Sequence, residues 1–114
     1  MAKIARFALV AALAFLALQC HSKCSRWSYQ GAREFALKKN LYDMRQAIDN
    51  FYRDNHRYPH KLAELVPKYL RRIPPDPITR RNDTWVEVGE PGEVNDVLSS
   101  APGISCDGTE YSKL

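Results

Sequence analysis

Leu37, Leu41, Met44, Ile48 and Phe51 recur at steps of four, three, four and three residues. A helix that turns once in about 3.6 residues puts all five on one stripe, while Lys38, Lys39, Arg45, Asp49 and Arg53 fall elsewhere. Between Trp27 and His56 there is no proline, and Gly31 is the only glycine. The spacing therefore predicts one long amphipathic helix over residues 27–56. Its apolar ridge covers barely two heptads, too few for a sustained coiled coil, so the ridge needs a different cover, and a sheet is the natural one.

The rest of the chain supplies it. Asn55, Tyr58 and Pro59 end the long helix, because the residue before a proline is pushed out of the helical region and Asn tolerates a left-handed cap. Leu62, Leu65, Val66 and Tyr69 predict a second, shorter helix over 60–70, with Pro67 arguing for a break in its second half. Pro74, Pro75 and Pro77 make residues 71–77 a rigid extended connector. Beyond it the helical period disappears. Residues 85–88 and 94–98 read as strands of a hairpin around Gly89, Glu90, Pro91 and Gly92, and 105–111 as a third, poorly formed strand. The predicted fold class is α+β: a long helix packed on a small antiparallel sheet, the C-terminal sheet and loop occupying 83–112.

Lys3 and Arg6 precede residues 7–18, twelve residues drawn only from Ala, Leu, Val and Phe. This is the charged head and apolar stretch of an export signal. A bilayer core of about 30 Å needs roughly 20 apolar residues as a helix, so the run is short for a span. Residues 1–26 read as a signal or membrane anchor and 27–114 as the folded domain. Three fates stay open: an uncleaved anchor; a lipoprotein lipidated at Cys20, although Ala17, Leu18 and Gln19 depart from the usual lipidation signal; or ordinary cleavage, although no small-x-small site follows the apolar run. All three place the domain outside the cytoplasm, facing the periplasm.

The formal net charge is +4, with Lys and Arg spread along the chain rather than gathered in one arm, which argues against specific nucleic-acid recognition. Arg71, Arg72, Arg80 and Arg81 are the residues that could touch phosphate; their plainer reading is solvated charge beside a proline-rich turn. Cys20, Cys24 and Cys106 are too few for a disulfide scaffold and odd in number. His21 lies between the first two, but no second Cys or His pair completes a zinc site, His56 and His60 standing alone downstream. No nucleophile elbow, phosphate loop or H-E-x-x-H occurs, so the expectation is a protein that is not an enzyme.

The stretch N-L-Y-D-M-R-Q-A-I-D-N-F-Y-R-D-N-H-R-Y-P (40–59) resembles the helix-to-turn segment of the type II secretion protein G family, the major pseudopilins, whose members commonly read L-R-x-A-I-D-x-Y-Y-x-D-x-G-x-Y-P. His56 stands where that family has glycine. L-A-E-L-V-P-K-Y-L-R-R-I-P-P-D-P (62–77) is similar to the family's second helix and proline-rich exit, and D-T-W-V-E-V, D-V-L-S-S and D-G-T-E-Y to its sheet and C-terminal loop. The resemblance covers residues 32–112. It implies a type IV pilin-like domain acting as a structural subunit of secretion or pilus machinery. The implied partners are other pseudopilin or secretion-system subunits, the inner membrane and further copies of the chain, with no covalent chemistry. It also implies a calcium site in the C-terminal loop, for which Asp96 and Asp107 are the carboxylates, with Ser99 alongside and Pro102 where another carboxylate is expected. The resemblance stops at the N-terminus: pilins share G-F-T-L-I-E there, whereas the first glycine here is Gly31 and the first acidic residue Glu34. A second reading follows from that departure, a periplasm-facing lipoprotein or anchored adaptor that keeps the domain but does not polymerise.

Overall fold

The structure is a computed structural model that describes residues 28–114. The apolar run, Cys20 and Cys24 lie outside the described residues, and among those described no helix is long and apolar enough to cross a membrane. Residues Arg33–Leu114 form one compact unit.

Helix α1 spans Tyr29–Asn55. Ser28 precedes it as an N-cap, its Oγ accepting the Gly31 N–H at 3.0 Å, which satisfies one of the donors a helix start leaves open. At the other end Asn55 closes the last turn through its side chain, Nδ2 donating to the Phe51 carbonyl at 2.9 Å. The left-handed residue is the next one: His56 has φ 55°, and its N–H reaches Tyr52 O at 2.8 Å. A β-carbon in that conformation costs about 1–2 kcal/mol, so His56 holds strained backbone at the end of the helix.

Leu37, Leu41, Met44, Ala47, Ile48 and Phe51 are buried and form one cluster with Leu62, Leu65, Val94, Val97, Ala101 and Tyr111. The ridge is thus covered by a hairpin and the loops around it. Strand β1 (Trp85–Val88) pairs antiparallel with β2 (Asp96–Ser99), Trp85 opposite Ser99 and Val88 opposite Asp96. The α+β class and the two-stranded hairpin match the sequence expectation, but β2 begins later than 94. Val94 N–H donates to Pro59 O at 2.8 Å instead of joining the ladder, and Asn95 N–H takes Val88 O at 2.9 Å. Gly89 opens this turn with φ 148°, where a β-carbon would lie 2.1 Å from Glu93 O.

Two predicted elements are smaller than expected. The second helix, predicted over 60–70, is a 3-10 turn at Leu62–Leu65. Val66 is extended (φ −92°, ψ 136°), the conformation imposed on a residue before proline, so no helix propagates past it. The third strand reduces to one bridge, Ile104 opposite Glu110, followed by a 3-10 turn at Tyr111–Lys113. Gly103 and Gly108 both take positive φ in that stretch, which bends the chain out of a ladder.

The proline connector shows how the sequence solves a bonding problem. Pro74, Pro75 and Pro77 have no N–H to donate, so only their carbonyls can anchor them. All three are taken by side chains from other elements: Pro74 O by Trp85 Nε1 at 2.8 Å, Pro75 O by Asn40 Nδ2 at 3.2 Å, and Pro77 O by Arg33 Nε at 3.0 Å. Between them Asp76 is fully buried. Its Oδ1 accepts Ile78 N–H at 2.7 Å, and its Oδ2 accepts the Ser99 hydroxyl of β2. A buried carboxylate is tolerated only when its oxygens are bonded, so connector and hairpin are specified together.

Two outcomes are expected. Leu41→Ala, at a fully enclosed position, lowers unfolding free energy by about 2–5 kcal/mol in urea titration, while Tyr42→Ala, exposed on the opposite face, changes it by less than about 0.5 kcal/mol. His56→Gly raises stability by up to about 1 kcal/mol by relieving the left-handed residue, read as a higher thermal midpoint; an unchanged or lower midpoint overturns the strain assignment.

Candidate functional site

The residues with chemistry concentrate where the middle of α1 meets β2 and the C-terminal loop. Arg45 lies beside the apolar stripe and turns toward β2. Its Nε donates to Asp96 Oδ1 at 2.8 Å, and its Nη2 donates to the main-chain oxygens of Val97 at 3.0 Å and Leu114 at 2.9 Å. One planar guanidinium therefore holds a carboxylate and two carbonyls from two separate stretches of chain, a pattern that suits its fixed fork of donors. Asp96 Oδ1 also accepts its neighbour's N–H, Val97, at 2.7 Å.

Nearer the start of α1, Glu34 is buried. Its Oε1 accepts the Tyr111 hydroxyl at 2.9 Å and the Cys106 N–H at 3.0 Å, and its Oε2 lies 3.1 Å from the same N–H. Glu34 and Arg45 thus pin the two ends of the C-terminal loop to one helix, eleven residues apart along it.

Asp107 sits at the loop's exposed tip. The Ser105 hydroxyl first, and the Thr109 N–H next at 3.0 Å, hold its carboxyl down from 3.8 to about 2. Lys38 Nζ is more distant at 3.7 Å and contributes least. The effect has one sign: a depressed carboxyl stabilises the fold above its ordinary value, and the contribution fades as pH falls from 3.8 through about 2.

The carboxylates predicted as metal ligands are therefore each placed in a local network. Asp96 is bound to Arg45, Asp107 to its own turn, and Ser99 to Asp76. Among the described residues no group of three or more His, Cys, Asp or Glu side chains is arranged to hold a metal ion. Cys20, the predicted lipidation site, lies outside the described residues.

The two downstream histidines, His56 and His60, lie in separate settings. His56 occupies the left-handed position at the end of α1, and His60 Nδ1 lies 2.6 Å from Gly92 O. His60 lines a shallow depression of about 240 Å3 with Glu87, Glu90 and Glu93. There Glu87 Oε1 accepts Leu62 N–H at 2.9 Å.

Sequence reasoning missed Arg45 and Glu34. The available signal was position: Arg45 follows Met44 of the ridge by one residue, close enough to the buried side for a long side chain to reach round. No protein-family model matches this chain, and no match was found among curated proteins or solved structures.

Arg45→Ala is expected to cost about 1–2 kcal/mol, because the buried Val97 carbonyl loses its donor while the half-exposed Asp96 is rehydrated. Arg45→Lys recovers little of it, since an ammonium cannot span the fork; urea titration of both variants checks this. Ser105→Ala raises the Asp107 pKa from about 2 toward 3.8, followed by carboxyl-carbon NMR titration.

Proposed function

We propose that the chain is a non-enzymatic structural or assembly subunit with a pilin-like domain, belonging to protein-secretion or pilus-like machinery and held at the membrane by its N-terminal segment. The observation that carries the reading is the apolar ridge of α1, from Leu37 to Phe51, closed by the β1–β2 hairpin and the C-terminal loop. A long helix with one face under a small antiparallel hairpin is the arrangement expected of such a subunit. Glu34 and Asp107, two of the carboxylates nearest the closed ridge, serve to pin the C-terminal loop and to hold its turn, as structural groups would.

A second reading keeps the domain and drops the polymer: an anchored adaptor or lipoprotein. Glu34 favours it. It is the first acidic residue of the chain, and it is committed to Tyr111 and Cys106 inside its own domain. In the pilin family the glutamate that docks an incoming subunit lies within the apolar helix, and residues 7–18 contain none.

Removal of the chain from its host is expected to abolish release of secreted protein into the medium, and cross-linking in the membrane fraction to give adducts with other copies or with secretion subunits. Normal release together with strictly monomeric chain would sink the primary reading. Mass spectrometry of the mature N-terminus separates the two: a free Met1 or Ala2 fits an anchor, and a diacylglyceryl Cys20 fits the lipoprotein.

A further inference from the structure

Lys and Arg are spread along the chain, but the net charge they leave is not. Residues 57–72 contain Arg57, Lys61, Lys68, Arg71 and Arg72 against the single carboxylate of Glu64, so this segment carries as much net charge as the whole chain, +4. The remaining positive and negative side chains balance. Of the arginines singled out beside the connector, Arg81 is held by Asp83 through two bonds, Nε to Oδ1 at 2.8 Å and Nη2 to Oδ2 at 2.6 Å. Arg71 and Arg72 are exposed and, among the described residues, have no carboxylate partner, and the same holds for Lys61 and Lys68.

These cations stand on a fixed base. Leu62 and Leu65 are buried in the core. The Tyr69 ring meets Phe51 edge-on at 5.3 Å, and its hydroxyl donates to Asp54 Oδ2 at 2.9 Å. Glu64 accepts both Arg57 Nη2 at 2.6 Å and His60 N–H at 2.7 Å, which consumes the one local carboxylate. Around the free cations, Pro67 is exposed and Val66, Tyr69 and Leu70 are half-buried, so apolar atoms alternate with charge along V-P-K-Y-L-R-R.

The geometry narrows the partner. The shallow depression next to this segment is lined by glutamates, which repel a small anion. The only helical element in the segment is a four-residue 3-10 turn, too short to lie in a nucleic-acid groove, and the Tyr69 ring, half-buried, already packs edge-on with Phe51 and carries Lys68 at 5.3 Å, which disfavours stacking on a base. What remains suited to a surface of exposed cations and half-buried apolar residues is a broad anionic one.

We infer that residues 66–72 form a docking surface for the anionic phospholipid headgroups of a bilayer, with Lys68, Arg71 and Arg72 against phosphate and Pro67 and Leu70 at the interface. Each cation near such a surface strengthens association roughly fivefold, and salt weakens it. The inference does not depend on the secretion reading or on how residues 1–27 are processed.

The test uses the full chain reconstituted into neutral phosphatidylcholine vesicles and into vesicles one-third phosphatidylglycerol, so that any N-terminal insertion is common to both. Backbone hydrogen exchange of residue 66 and residues 68–72 is expected to slow about tenfold or more in the anionic vesicles alone. The slowing disappears in high salt and in Lys68→Gln/Arg71→Gln/Arg72→Gln, and persists in Arg80→Gln. Should the triple variant lose its native near-ultraviolet circular dichroism, the salt series on the unaltered chain and Arg72→Gln alone, expected to weaken the effect about fivefold, give the same readout. Equal exchange in the two vesicle types overturns the inference. So does protection of these amides by duplex DNA without protection by the anionic bilayer, which would assign the surface to nucleic acid.

Discussion

The apolar ridge of α1 is the constraint from which the rest of the domain follows. Burial of side chains such as Leu37, Met44 and Ile48 is favourable by about 1.5–3 kcal/mol each, but a lone helix has nothing to bury them against. The C-terminal half of the chain has to return along the helix, and it does so with few apolar residues: Val94, Val97, Ala101 and Tyr111 from the hairpin and loop, and Leu62 and Leu65 from the first turn after α1. A cover built from so few contacts needs polar restraints to hold it in register. Arg45 and Glu34 supply them from the flanks of the same ridge, and Asp76 supplies one from the connector.

That division of labour governs which parts of the structure could be read from the sequence. The long helix was legible because five apolar residues at helical spacing line up on one face in a helix and scatter to both faces in a strand. The hairpin was legible because Gly-Glu-Pro-Gly between two β-branched runs allows little else. Both signals are local. The predicted helix over 60–70 and the third strand were weaker because each depended on neighbours. Leu62 and Leu65 carry helical spacing, yet Pro67 dictates the conformation of Val66 and stops the turn. Residues 105–111 have strand-like side chains, but Asp107 and Gly108 organise a tight turn around Ser105 and Thr109 instead.

The candidate site was harder to read than the fold. Asp96 opens β2 and Asp107 lies in the C-terminal loop, and the chemistry of each depends on what stands opposite it in space. Arg45 is 51 residues from Asp96 and Glu34 is 72 from Cys106 along the chain. No spacing rule spans those distances, because each pair is created by the way the loop is laid across the helix. The same holds for the charge: composition gives the total, and only the folded chain shows which cations keep a counter-ion, as Arg81 does and, among the described residues, Arg72 does not.

The proline connector has a consequence for the sheet beside it. Trp85, at the start of β1, reaches the connector through its indole, so Pro74 lies next to the hairpin. An edge strand ordinarily recruits any extended neighbour whose amides face it. Residues 74–77 possess a single amide hydrogen, that of Asp76, and it is already donated to Arg81 O. Residues 74–77, which the Trp85 indole meets, therefore have no free amide hydrogen with which to continue a ladder. With the carbonyls of Pro74, Pro75 and Pro77 also taken by side chains, the connector has little left to offer a strand edge, whether of its own sheet or of another copy.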